Sequence, residues 1–137
     1  MTRRECREHL MIMLYQREFY AKEELPEQIE LYLQEITSPK QGDLDYIQEK
    51  YKKTIECLEE IDDMIEGVSE GWKLKRMAKV DLTIMRLAVY EMKYDEEIPV
   101  SVAINEAVEI AKKYGQDSSP SFINGILAKI AYMIEKG

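Results

Sequence analysis

Residues 79–95, KVDLTIMRLAVYEMKYD, are apolar on two faces of one helix. Val80, Ile84, Leu87, Ala88 and Tyr94 form one face, and Leu82, Met85, Val89 and Met92 form another. A helix that is apolar on both sides belongs at the centre of a bundle, because each face must be covered by another element. The rest of the chain supplies the covers. Residues 2–20 read as a helix with Leu10, Met11, Leu14, Tyr15 and Phe19 on its apolar side. A second helix starts near Pro26 and ends before Ser38 and Pro39. A third starts after Gly42, capped by Asp43, and carries Leu44, Ile47, Tyr51, Ile55, Leu58, Ile61 and Ile65 at spacings of three and four. Residues 98–127 read as two more helices. Pro99 suits a first helical position, Gly115 suits a left-handed stop, and Ser119 followed by Pro120 suits a cap and first turn. No segment keeps a period of two, so the fold class is all-α.

The break GVSEG at residues 67–71 is the best internal boundary. It divides the chain into helical subdomains 1–67 and 68–137. Trp72, just after it, is predicted as a buried anchor where the halves meet, and residues 73–76 as a short helical turn. Gly125 is predicted to allow close helix approach. Asn105, Glu106 and Asn124 are predicted as internal polar ties.

With 45% hydrophobic residues in 137, the chain can bury a core without a metal or a disulfide. Cys6 and Cys57 stand in no metal-binding spacing and read as free thiols. No apolar run is long enough to span a membrane, and the charged start MTRRECREHL is unlike a signal peptide. A cytoplasmic location is expected. His9 is the only histidine, so a nucleophilic triad is excluded. No metal, cofactor or small-molecule substrate is expected, and the chain does not read as an enzyme.

The net charge is −8, but it is unevenly spread. Residues 1–22 hold five bases and three acids, residues 23–70 four bases and fifteen acids, and residues 71–137 ten bases and nine acids. A polyanion is therefore restricted to the N-terminal arm and the C-terminal half. Arg3, Arg4 and Arg7 crowd the first turns, where arginine forks and free helix N–H groups both suit phosphate. A solvated charged helix start is the other reading. Arg86, within the central helix, is expected in a structural ion pair with Glu91 or Glu106, since a lone buried charge is costly.

Four stretches resemble the NusB family of bacterial transcription antitermination factors: RRECREHLMIMLYQ, IMRLAVYEM, IPVSVAINEAVEIAKKYG and FINGIL. The resemblance implies two packed helical subdomains with about seven helices. It implies binding of single-stranded boxA RNA in nascent ribosomal transcripts together with the ribosomal protein NusE. Other Nus factors and RNA polymerase would be engaged indirectly. It assigns RNA contact to Arg3, Arg4, Arg7 and Phe122, the last by stacking on a base, and NusE contact to Tyr15 and Asp81. Phe122 reads equally as core packing. Three phosphate contacts would give a salt slope of roughly −2. Two alternatives stand beside this. One is the RNA-binding part of a ribosomal RNA cytosine methyltransferase, which would need a catalytic domain after Gly137. The other is a helical adaptor without RNA binding.

Overall fold

The computed structural model describes residues 1–37 and 39–136. The expected helix stop at Ser38 and the chain end at Gly137 lie outside them. Among the described residues there are seven α-helices, one short 3₁₀ turn and no strand. No helix is long and apolar enough to cross a membrane. The chain divides into two compact units, Met1–Ile55 and Glu56–Gly137.

The first unit holds α1 (Arg3–Gln16), α2 (Leu25–Gln34) and α3 (Gln41–Glu56). Helix α1 begins with a capping box: the Glu5 N–H donates to Thr2 Oγ1 at 3.1 Å, and the Thr2 N–H donates to Glu5 Oε1 at 3.0 Å. This satisfies two otherwise orphaned donors. Cys6, Leu10, Met11, Met13 and Leu14 bury one side of α1. The helix stops at Gln16, short of the expected residue 20, and Phe19 is 59% exposed rather than part of the apolar side.

The second unit holds α4 (Leu58–Val68), the 3₁₀ turn (Leu74–Arg76), α5 (Lys79–Tyr94), α6 (Val100–Tyr114) and α7 (Ser119–Lys136). Helix α5 is its centre and touches α4, α6 and α7. It buries every residue of 81–92 except Arg86, as its two apolar faces require. The hydroxyl of Thr83, buried on α5, is satisfied by the Lys79 carbonyl at 2.7 Å.

The apolar stripe of residues 44–65 is not one helix. Cys57 leaves helical geometry at φ −101°, ψ 3° and separates α3 from α4. The units divide there, between Ile55 and Glu56, instead of near Gly67. Just ahead of the break, the buried Thr54 hydroxyl donates to the Lys50 carbonyl at 2.7 Å. The stripe stays in step across one interrupted residue, so spacing alone does not reveal the break.

Neither landmark glycine plays the role predicted for it. Gly115 ends α6 at φ −91°, ψ −172°, an extended conformation open to any residue. What it needs is space: a Cβ there would lie 2.6 Å from Ser119 Cβ and 2.9 Å from the Ala111 carbonyl oxygen. Gly125, inside α7, meets nothing described within 4 Å, so it does not mark a close helix approach. Asn105 and Asn124 are both exposed and are not internal ties. Ser119 begins α7, and its hydroxyl accepts from the Gln116 N–H at 2.9 Å. Pro99 is the residue before α6, not its first member.

Candidate functional site

In the first unit, Arg3 and Arg4 are exposed on the first turn of α1. The guanidinium carbon of Arg3 sits 3.8 Å from the centre of the Tyr46 ring. The ring is also approached by Lys50, whose Nζ donates to Tyr46 Oη at 3.0 Å. A cation held over an aromatic face is fixed in position while its edge stays available for hydrogen bonding. Arg7 differs. It is 6% exposed, in the stripe with Leu10, Met11 and Leu14 at helical spacing, so the RNA contact expected of it does not face solvent. The spacing 7, 10, 11, 14 is legible in the sequence and marks Arg7 as inward-facing. The helix start is also less open to anions than expected. Thr2 and Glu5 occupy it, and the hydrogen bonds from the Thr2 backbone and side chain hold the Glu5 carboxyl below its ordinary value. Anion contact on this turn therefore falls to arginine side chains.

At the far end of α1, Tyr15 is half-buried, with its ring edge-on to Phe19 at 4.9 Å between centres and 71° between planes. Together they form an aromatic surface with a polar tip, a composition typical of protein contacts.

In the second unit, Trp72 is not a buried anchor: it is 54% exposed. The loop before it explains this. Glu70 has φ 52° and Gly71 φ 90°, two successive left-handed residues, the first of them not glycine. The Ser69 hydroxyl, buried, shares its proton between the Trp72 carbonyl at 2.7 Å and the Glu66 carbonyl at 3.0 Å. Glu70 reaches across to Lys129 on α7 at 2.5 Å, and that hydrogen bond lowers its carboxyl from the ordinary range. The turn so fixed sets Trp72 edge-to-face with Phe122, 6.4 Å between centres and 69° between planes. Phe122 is half-buried, between the two roles the sequence left open. The two rings border a cleft of about 260 Å³, also lined by Ser121, Gly125, Ile126 and Lys129.

The basic run that follows, Lys73, Lys75, Arg76 and Lys79, is exposed throughout and contains no acid. Apolar spacing does not single it out. The interleaving of one tryptophan with four cations in eight residues was the available signal.

Asp81, third residue of α5, is 7% exposed, and its Oδ1 has no hydrogen-bond partner among the described residues. The helix N-terminus favours its charge. Arg86 binds Asp62 of α4 by two hydrogen bonds, Nε to Oδ1 at 2.8 Å and Nη2 to Oδ2 at 2.9 Å. The ion pair is as expected in kind, but the observed fork partner is Asp62, which the sequence reading did not name. Glu91 is buried and Glu106 half-buried in the same unit. Among the described residues no cluster of three metal-ligating side chains exists.

The family model of the NusB family matches residues 4–132. The transcription antitermination protein NusB of Lachnoclostridium phytofermentans is 54% identical, over 95% of this chain and 98% of its own. That of Agathobacter rectalis is 53% identical, over 96% of this chain and 100% of its own. The solved structure of T. maritima NusB superposes with a TM-score of 0.88 at 36% identity, over 96% of this chain and 92% of that one. The antitermination factor NusB, solved with NusE and dsRNA, shares the fold at a TM-score of 0.84 and 21% identity, over 96% of each chain. On the match over residues 4–132 and the near-full-length relatives, the chain belongs to the NusB family.

Proposed function

We propose that this chain is a transcription antitermination factor that binds the boxA element of nascent ribosomal RNA together with NusE and keeps polymerase transcribing through ribosomal operons. The observation that carries the reading is the near-full-length likeness to relatives named for antitermination. The role is binding, not catalysis, and the site of action is the cytoplasm. Arg3 and Arg4 hold phosphates of the single strand, and Phe122 stacks on a base. Tyr15 and Asp81 meet NusE. The buried, unpartnered Oδ1 of Asp81 is an acceptor that a basic group from a partner would satisfy. Other Nus factors and the polymerase are reached through that complex. The Arg86–Asp62 pair is structural.

A basic partner is useful to an RNA binder of net charge −8, because it offsets long-range repulsion. The test is an electrophoretic mobility shift with boxA RNA, with and without NusE. Binding with both components, lost or strongly weakened in Arg3→Ala/Arg4→Ala, is the expected result. Equal shifts for wild type and variant defeat the arginine assignment. The same assay's salt slope should change by about 1.4 when both arginines are removed. For the partner contact, calorimetry of Asp81→Lys against NusE should show weakened binding, and unchanged affinity would sink that assignment.

A further inference from the structure

We propose that Trp72 and Phe122 form a docking site for an unpaired base of single-stranded RNA, seated over Gly125, with Lys75 and Arg76 holding the adjoining phosphates. This rests on the RNA-binding reading above and deepens its Phe122 contact, adding Trp72, Gly125, Lys75 and Arg76 to it.

Four observations converge on it. The first is the loop. A large aromatic ring held in solvent forgoes burial, and here the backbone adopts two left-handed residues, one of them Glu70, to hold it there. Strain of this kind persists where surrounding contacts fix it, and it gathers at binding sites. Ser69 and the Glu70–Lys129 pair supply those contacts. The second is the geometry of the rings. Phe122 meets Trp72 nearly at right angles, 69° between planes, and Trp72 is 54% exposed, so much of its ring is offered to a stacking partner.

The third is Gly125. A glycine inside a helix is unfavourable unless close approach requires it, and nothing described within this chain approaches it. It lines the Trp72–Phe122 cleft, so the room it leaves opens onto that cleft. The cleft, about 260 Å³, is smaller than the roughly 300 to 1,000 Å³ that accommodates larger ligands, and suits a single ring system. The fourth is charge. In a chain of net −8, no acid occurs in residues 71–80. The nearby carboxylates of Glu66 and Glu70 are matched by Lys73 and Lys129. Lys75 and Arg76 are exposed and without an acidic partner among the described residues. Two aromatic rings bordering a cleft, with exposed cations at Lys75 and Arg76 in the segment that follows Trp72, favour a ligand that is aromatic and polyanionic at once, which describes single-stranded nucleic acid.

Trp72 is the sole tryptophan, so protein grown with 5-fluorotryptophan gives one ¹⁹F resonance that reports this ring alone. NusE is added first, then a fluorescein-labelled 12-nucleotide boxA RNA, with anisotropy read in parallel. The resonance should move on RNA addition, with the same midpoint as the anisotropy. Trp72→Ala and Gly125→Leu should each weaken RNA binding roughly 5- to 150-fold. Lys75→Ala/Arg76→Ala should lower the salt slope by about 1.4. The proposal is overturned if the resonance stays put at RNA saturation and Trp72→Ala binds as wild type while Arg3→Ala/Arg4→Ala does not. In that case the RNA reading survives without this site. It is also overturned if NusE alone moves the resonance and RNA adds nothing, which makes the surface a protein contact. If wild type with NusE binds no RNA, both readings fall together.

Discussion

Replacing Gly115 by alanine should destabilise the second unit by about 2 kcal/mol. The backbone at 115 is extended and tolerates alanine, so the whole effect is steric. The new methyl would lie 2.6 Å from Ser119 Cβ, 2.7 Å from Ser119 Oγ and 2.9 Å from the Ala111 carbonyl oxygen. None of the three can yield cheaply. The Ala111 oxygen is backbone and already accepts the Gly115 N–H at 2.8 Å. Ser119 is buried, and turning its hydroxyl away forfeits the hydrogen bond to the Gln116 N–H, worth about 1 kcal/mol. Overpacking costs about 1 to 3 kcal/mol, and the reduced freedom of the unfolded chain returns roughly 0.4 to 1 kcal/mol. Urea denaturation followed by circular dichroism reads the balance directly. Gly125→Ala is the internal control. With open space around its Cβ, it should stabilise by up to about 1 kcal/mol through helix propensity. Pairing Gly115→Ala with Ser119→Gly should restore only part of the loss, since the Ala111 oxygen remains. A Gly115→Ala variant within about 0.5 kcal/mol of wild type refutes the steric account.

Three further outcomes follow from the same structure. Asp62→Ala removes both hydrogen bonds from an Arg86 side chain only 16% exposed; it should cost about 2 to 3 kcal/mol, and additive losses in a double-mutant cycle with Arg86→Ala would show that the pair does not interact. The Glu5 carboxyl, held down by Thr2, should titrate below 4.5 in a carbon-detected NMR experiment. Because its folded value is lowered, the stabilisation of the α1 start is present above 4.5 and is lost as pH falls through the folded midpoint; a midpoint at or above 4.5 contradicts the capping box. Burial raises the thiols of Cys6 and Cys57, with Glu60 and Glu56 raising the latter further, so both should react far more slowly with Ellman's reagent at pH 8 folded than in urea, and equal rates would count against that environment.

Much of the helical layout is legible from apolar spacing, because a helix centred in a bundle must be apolar on more than one side. Helix α5 is the clearest case. What spacing does not carry is the content of the joints. The capping box T-x-x-E at Thr2 is a local pattern and could have been read, as could the inward position of Arg7. The break at Cys57 could not, since the apolar stripe keeps its spacing of three and four across it. Nor could the pairing of Arg86 with Asp62, a contact across 24 residues set by how α4 meets α5. Gly115 and Gly125 show the same limit. A glycine signals that something is special, and only neighbours in space say whether it is conformation, room for the chain, or room for something else. For Trp72, bulk and hydrophobicity argue for burial, while the two left-handed residues that precede it leave no mark in composition.

The Ser69 hydroxyl, shared between two carbonyls, has a consequence for where entropy is spent. By tying Glu66 to Trp72 it makes the turn a rigid bracket, so the conformational freedom of this segment is surrendered when the protein folds and not when anything binds. A surface prepared in that way captures a ligand in a single step with little reorganisation, and loosening it changes how fast a ligand leaves more than how fast it arrives. For an RNA base docked at Trp72, rigidity at residues 69–72 would then make residence time a property of the folding equilibrium.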